Sequence, residues 1–259
     1  MGLLSVVIIT FNEERNIGRC IESVRELADE IIVLDSFSTD NTVKIAREMG
    51  AIIHQQAFAG YVAQKNKALE FASNDFVLSL DADEALDDVL RHSIAKEKPN
   101  FSASAYKMNR CANYCGKFIR HGSWYPEPKL RLFDRRIARW DGVDPHDTIT
   151  VDTGIKVVHL KGDILHYICK TIGEHVKRND NFSSIAARSL YERGKRTNWL
   201  KAFASPAWFF INDYLLRAGF LSGYYGWVIA VNQSRYHFQK YAKLIKLQRM
   251  HPGPAGSQH

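Results

Sequence analysis

The first eighty residues alternate short apolar runs with helical patterns, and that alternation restricts the fold more than any other feature of the sequence. Residues 5–10, 30–34, 51–54 and 76–80 are β-rich runs. Between them, 13–27 and 61–72 have amphipathic spacing, and Asp40 is placed to cap a helix reaching about residue 49. Strands and helices of these lengths predict a parallel sheet covered on both faces. Right-handed crossovers then bring the C-terminal end of every strand to one edge, where open α/β sheets bind ligands.

The rest of the chain changes character twice. Residues 102–109, 129–133, 148–151 and 156–160 are candidate strands, separated by expected turns at 115–124 and 140–147. From 167 to 249 the pattern is nearly all helical and dense in aromatics. At 259 residues the chain can bury one sizeable core or two modest ones. The expected organisation is a domain over 1–165, with halves 1–100 and 101–165, a helical extension over 166–250 and a frayed tail at 251–259. Charge follows these divisions. Residues 1–83 carry 7 basic and 13 acidic side chains, 84–183 carry 17 and 13, and 184–259 carry 11 and 2.

Several classes fall away. The cysteines Cys20, Cys111, Cys115 and Cys169 are too few and too scattered for a disulfide scaffold. No run reaches 18 apolar residues, and the start reads as a first strand, not a signal peptide. Neither G-x-G-x-x-G nor a P-loop follows any strand, which argues against a dinucleotide-binding or P-loop enzyme.

The chemistry gathers at the expected strand ends. Asp81-Ala82-Asp83 follows the apolar run 76–80, and a turn there can aim both carboxylates at one divalent cation. Carboxylate oxygens suit Mg²⁺ or Mn²⁺, which in turn neutralise substrate phosphates. Glu84, Asp87 and Asp88 also read as charges at a helix start. Thr10-Phe11-Asn12-Glu13 ends the first strand. Asp35 finishes the second, an acid closing an apolar run where it can accept bonds from a base or ribose.

Taken in order, Thr10-x-Asn12-Glu13, Asp35-x-x-Ser38-Thr39-Asp40, Gln64-Lys65-Asn66 and Asp81-x-Asp83 resemble the GT-A nucleotide-sugar glycosyltransferases of family 2. The run from Trp124 to Phe133, Trp140-Asp141-Gly142, His146-Asp147, Leu165-His166-Tyr167 and the Gly219-to-Gly226 segment resemble its lipopolysaccharide inner-core beta-1,4-glucosyltransferase subgroup. The resemblance implies an α/β GT-A fold, a Rossmann-like and mostly parallel sheet flanked by helices, with a C-terminal helical extension. It implies a metal-dependent inverting enzyme that moves a hexose, glucose in that subgroup, from a UDP-sugar to a heptose of a lipid-linked core glycan. Another UDP-sugar with a different lipid-linked or capsular glycan, or a noncatalytic scaffold of the same fold, are the competing readings.

Carried over by position, Thr10, Asn12, Glu13, Asp35, Gln64 and Asn66 would hold the nucleoside part of the donor. Asp81 would approach ribose or sugar, Asp83 would ligate Mn²⁺ or Mg²⁺ at the diphosphate, and His166 would touch the metal. Lys129 and Arg131 would add positive charge. Asp147, where the family more often has Glu, would be the general base, with Asp144 its competitor and His146 beside it to orient the acid or contact the sugar. Trp124, Tyr125 and Asp144 would meet the acceptor. The Ser36-Phe37 pair departs from the Asp-Gly common elsewhere in the superfamily.

The basic, aromatic C-terminal third fits either nucleic acid or an anionic lipid surface. No RNA-binding motif is visible and the acidic half would repel a nucleic acid, so the lipid surface is expected. Most rings are expected in a core, with Phe209, Phe210, Phe220, Leu221 and Trp227 exposed. The implied location is the cytoplasmic face of the bacterial inner membrane.

Overall fold

The computed structural model describes residues 2–143 and 146–250, with backbone alone at Val143 and His146. Asp144 and the tail 251–259 lie outside the described residues. The chain forms two compact units, Met1–Ala112 with Pro126–Tyr167, and Asn113–Tyr125 with Ile168–His259. The segment Asn113–Tyr125, which the sequence places in the middle of the first domain, groups with the C-terminal helices.

In the first unit, strands β1 (Leu4–Thr10), β2 (Glu30–Asp35), β3 (Ile52–Gln55) and β4 (Phe76–Asp81) are parallel. They alternate with helices α1 (Ile17–Val24), α2 (Thr42–Glu48) and α3 (Tyr61–Glu70). Five further elements complete the pattern: β5 (Glu84–Leu86), helix α4 (Asp88–Glu97), β6 (Ala105–Tyr114), β8 (Glu127–Asp134) and, last, β11 (Val157–Cys169), which follows the hairpin of β9 (Ala138–Val143) and β10 (His146–Val151), while β7 (Lys117–Phe118) belongs to the second unit. The main sheet runs β3-β2-β1-β4-β8-β6-β11-β5, with β7 on β6. This is the expected α/β GT-A architecture, parallel through β4 and antiparallel at β4–β8, β8–β6 and β11–β5. Short loops suffice for antiparallel neighbours, whereas each parallel pair needs a crossover, and the helical crossovers end with α3.

Both faces of β1, β2 and β4 are covered, which explains their unbroken apolar runs, while β3 at the sheet edge is partly exposed. Val6 and Ile8 of β1 pack with Ile17, Ile21 and Val24 of α1, while Val7 faces the other way with Ile32, Ala68, Leu69 and Phe133. Each large side chain so buried contributes roughly 1.5–3 kcal/mol. One expectation fails here: Trp140 lies inside β9 and Asp147 inside β10, not in a turn, with Trp140 paired to Ile149 and Asp147 to Gly142.

The second unit is built from α5 (Ile172–Glu192), α6 (Trp199–Phe210) and α7 (Tyr224–Met250). A π-helical turn, Ile211–Leu216, and a 3-10 turn, Gly219–Ser222, lie between the last two. Thr171 caps α5 by accepting from Glu174 N at 3.1 Å, and Asn198 caps α6 by accepting from Lys201 N at 3.0 Å. A side chain at Gly226 would strike the Gly219 carbonyl, so the start of α7 can approach the 3-10 turn only with glycine there. Tyr114, Ile119, Cys169, Val228 and Ile229 make a small core. Beside it, Tyr114 Oη lies 2.9 Å from His175 Nδ1, and burial pushes the His175 imidazole down to about 4, leaving it neutral.

The aromatics of this unit do not form the expected core. None of the rings from Trp199 to Tyr241 is fully buried. Phe220, Leu221 and Trp227 are exposed, but Phe209 and Phe210 are half-buried against His237 and Trp227, at 4.7 and 5.3 Å between ring centroids. Trp208 is exposed in their place. The core positions are held instead by small residues and aliphatics such as Ala187, Ala202, Ala230 and Leu244.

Candidate active site

Parallel register sets Thr10 beside Asp35, Ile9 beside Asp81 and Asp35 beside Gln55, so the acids that end β2 and β4 share one sheet edge. The loops after β1 and β2 are locked together. Asn12 Oδ1 accepts from Thr39 N at 2.8 Å, Asn12 N donates to Ser38 Oγ at 2.8 Å, and Glu13 N donates to Thr42 Oγ1 at 2.8 Å. Asp40 acts one residue ahead of its expected place: α2 starts behind Asn41, and the Asp40 carboxylate receives Thr42 N at 3.0 Å. Asp35, fully buried, accepts from Ser38 N at 3.0 Å, Ser38 Oγ and Gln55 Nε2 at 2.9 Å. Phe37 sits at φ +62, a left-handed conformation that bulky residues rarely adopt, where the superfamily's usual pair has glycine.

A cavity of about 570 Å³ opens over this edge, lined among others by Thr10, Glu13, Gln64, Asp81, Asp83 and His166. Gln64 Nε2 donates to Ser36 Oγ at 3.0 Å. Among the described residues, Thr10 Oγ1 and Gln64 Oε1 are buried in its wall without a hydrogen-bond partner. Unpaired buried polar atoms are costly, and a polar ligand in the cavity would satisfy them. Asn12 and Asp35 stand behind the wall as loop supports. Asn66 turns elsewhere: its amide donates to Trp140 O at 2.8 Å and accepts from Trp140 N at 3.0 Å, pinning β9 to α3.

Asp83 and His166 are brought together by β5 and β11. Glu84 pairs with His166 across these strands, Tyr167 N donates to Asp83 O at 2.9 Å, and His166 Nε2 comes to 3.2 Å from Asp83 Oδ2. Among the described residues no group of three or more His, Cys, Asp or Glu is assembled for a metal. A carboxylate and an imidazole on a cavity wall nevertheless fit Mn²⁺, and the carboxylate alone fits Mg²⁺; both ions retain water and take remaining ligands from phosphate oxygens.

Beneath the cavity runs a chain of alternating charges. Lys65 Nζ lies 2.7 Å from Asp147 Oδ2 and 3.0 Å from Asp81 Oδ1. Arg131 Nη2 continues the chain at 3.1 Å from Asp81 and 2.8 Å from Glu84. Arg110 follows, 3.3 Å from Glu84 and doubly bonded to Glu127 at 2.8 and 2.9 Å, and Lys129 ends it 3.0 Å from Glu127. Burial alone would raise the Asp81 carboxyl, but Arg131 and then Lys65 hold it well below the usual carboxylate range. Lys65 also lies 4.3 Å from the centre of the Trp140 ring. A second, strongly polar cavity of about 330 Å³ borders this chain, with Lys65, Lys129, Arg131, Trp140 and Asp147 in its wall. Asp81 borders both cavities.

Three members of this chain escape a sequence reading. Lys65 looks like a solvated helix lysine, yet it shares a face with Ala68 and Leu69 at helical spacing and is 3% exposed. Glu84 is corrected from a helix-start charge to a fully buried strand residue whose carboxylate also accepts from Asp81 N at 3.0 Å. Asp87 is the actual cap of α4, accepting from Leu90 N at 2.7 Å. Arg110 has no local motif at all. Of the remaining candidates, Trp124 and Tyr125 belong to the second unit, where Trp124 packs edge-on to Tyr114 and His175. The His146 side chain and Asp144 are not among the described residues.

A model of glycosyl transferase family 2 matches residues 5–158. An uncharacterized glycosyltransferase of Rickettsia typhi is 30% identical over 265 residues, covering 96% of this chain and 88% of its own. The lipopolysaccharide core biosynthesis glycosyltransferase LpsC of Rhizobium meliloti is 28% identical over 262 residues, covering 97% and 95%. The solved glucosyl-3-phosphoglycerate synthase of Mycobacterium tuberculosis, bound to Mn²⁺, UDP and phosphoglyceric acid, is 25% identical over 43% of each chain at a TM-score of 0.37. An overlap that small carries no argument about ligands. These relatives reach the family and lipopolysaccharide core biosynthesis, not the beta-1,4-glucosyltransferase subgroup that the motifs resemble. The chain belongs to glycosyl transferase family 2 and is a glycosyltransferase of the GT-A fold.

Proposed function

We propose that the protein transfers a hexose from a UDP-sugar to a lipid-linked core glycan with inversion at the anomeric carbon. One observation carries the reading: Lys65 bridges Asp81, on the wall of the larger cavity, to Asp147, on the wall of the polar one. A donor in the first cavity and an acceptor in the second would then meet at this bridge. The acceptor hydroxyl oxygen attacks the anomeric carbon while the bond from that carbon to the diphosphate oxygen breaks, its electron pair leaving with UDP. The hydroxyl proton passes to an Asp147 carboxylate oxygen.

The nucleoside end lies toward Thr10 and Gln64, whose unpaired oxygens match ribose and base donors, with Asp35 bracing the loop behind them. Asp83 and His166 would hold Mg²⁺ or Mn²⁺ against the diphosphate, and such an ion when bound offsets the charge that grows on departing UDP. Glucose and heptose are the sugars favoured by the motif resemblance, and the similarity to a lipopolysaccharide core enzyme supports an acceptor of that class.

A thermal-shift experiment tests the donor half. UDP with Mn²⁺ raises the melting temperature of the wild-type protein, and Asp83→Asn abolishes the metal-dependent part. A shift of equal size without metal, or one unchanged in Asp83→Asn, removes Asp83 from the metal.

A further inference from the structure

The second unit contains a helix that is apolar on both sides. From Trp199 to Leu216, α6 and its π-helical continuation carry two charged residues, Lys201 and Asp213. One side packs on α7, with Ala202 buried, Phe209 stacked on His237 and Phe203 5.4 Å from Phe238. Asp213 belongs to that inner side, buried and accepting from Ser123 N. The outer side is apolar as well. Leu200 is 77% exposed, Trp208 63% and Leu216 66%, and their spacing with Ile211 and Leu215 follows the helical repeat. The turn and the start of α7 extend it with Leu221, Tyr224 and Trp227. A water-facing helix ordinarily places polar residues opposite its buried stripe, and this one does not.

Charge identifies what covers the face. Between residues 193 and 250 the single acid is Asp213, which is buried, so this stretch presents no exposed carboxylate. Most of its cations, though not Arg217 and Arg235, gather at one end of the hairpin. Thr197 N donates to Gln248 Oε1 at 3.3 Å, Arg249 lies 6.0 Å over the Trp199 ring, and Lys201 and Lys240 both lie over Tyr241. The start of α6 is therefore antiparallel to the end of α7, and Lys195, Arg196, Lys246 and Arg249 cluster there. Among the described residues no helix is long and apolar enough to cross a membrane. An apolar aromatic face with a basic end and no crossing helix matches an interfacial element.

We infer that the outer face of α6, the turns after it and the start of α7 form a docking surface for an anionic phospholipid bilayer, lying in the membrane surface without crossing it. This deepens the transferase reading only by placing the enzyme where a lipid-linked acceptor is held. Tryptophan and tyrosine sit at headgroup depth, leucines reach the acyl boundary, and the basic end pairs with lipid phosphates.

Flotation of the full chain with vesicles tests it. The wild type floats with vesicles of phosphatidylcholine and phosphatidylglycerol in equal parts, and less with phosphatidylcholine alone or at high salt. Combining Leu200→Ser, Trp208→Ser and Leu216→Ser lowers partitioning about tenfold or more. Val89→Ser, at a comparably exposed apolar position in α4, leaves it unchanged. Because the substituted side chains are exposed, the triple variant keeps its melting temperature and its transfer to a deacylated, water-soluble acceptor. A wild type that stays unbound with anionic vesicles overturns the inference, as does a triple variant that floats equally well. A dimer that the triple variant dissolves, without vesicle binding, assigns the face to a second copy and also overturns it. Vesicle binding by a chain that transfers no sugar leaves the surface standing and removes the transferase reading. Transfer to the soluble acceptor without vesicle binding does the reverse.

Discussion

Asp147→Asn lowers the rate of sugar transfer by about a hundredfold to ten-thousandfold while leaving UDP binding intact. The amide keeps an oxygen for Lys65, which lies 2.7 Å from the present carboxylate, but it cannot take a proton from an acceptor hydroxyl. The side chain is 14% exposed and Lys65 retains Asp81, so the substitution removes chemistry with little effect on folding. Transfer rates and UDP affinities of wild type and variant, measured together, separate the base role from a structural one. A variant with near wild-type transfer withdraws the base from Asp147, and the same substitution at Asp144 then shows whether it passes there.

The largest expected effect on stability comes from the buried charge chain. Arg131 is 3% exposed and lies between Asp81 and the fully buried Glu84. Among the described residues, Arg131→Leu leaves Glu84 with Arg110, at 3.3 Å, as its remaining cation, and costs about 3–5 kcal/mol. For a domain of this size that is a fall of roughly 10 °C in Tm. The double variant Arg131→Leu with Glu84→Leu removes both charges and recovers part of the loss, since an unpaired buried charge costs more than an absent pair. Thermal melts of the two single variants and the double give the coupling directly. An additive cycle, or a fall in Tm of under two degrees for Arg131→Leu, contradicts the description of this chain as a coupled network.

The parts of this molecule that could be read from sequence are those governed by local rules. Strands β1, β2 and β4 announce themselves because both their faces are buried, and the acids Asp35 and Asp81 stand out because they end such runs. The family resemblance assigns Asp83 and His166 each to the metal, and β11 places His166 3.2 Å from Asp83. What remained hidden depends on tertiary placement. Glu84 looks like a helix-start charge until β11 pairs with it, and Lys65 looks solvated unless its face is traced to Leu69. The β9–β10 hairpin is hidden in the sequence because Asp141-Gly142, near the end of β9, reads as a loop. In the C-terminal helices the rings suggested a core, but Ala187, Ala202 and Ala230 occupy it and the aromatics lie farther out.

The central claim is that Lys65 joins a donor cavity to an acceptor cavity around one transfer reaction. Its most direct test is UDP release from UDP-glucose with Mn²⁺, measured with and without a deacylated lipopolysaccharide core acceptor. The account predicts release that depends on the acceptor, with a hexose added to it in the inverted anomeric configuration and no addition by Asp147→Asn. An acceptor that gains no sugar from any UDP-hexose, despite donor binding, would contradict it.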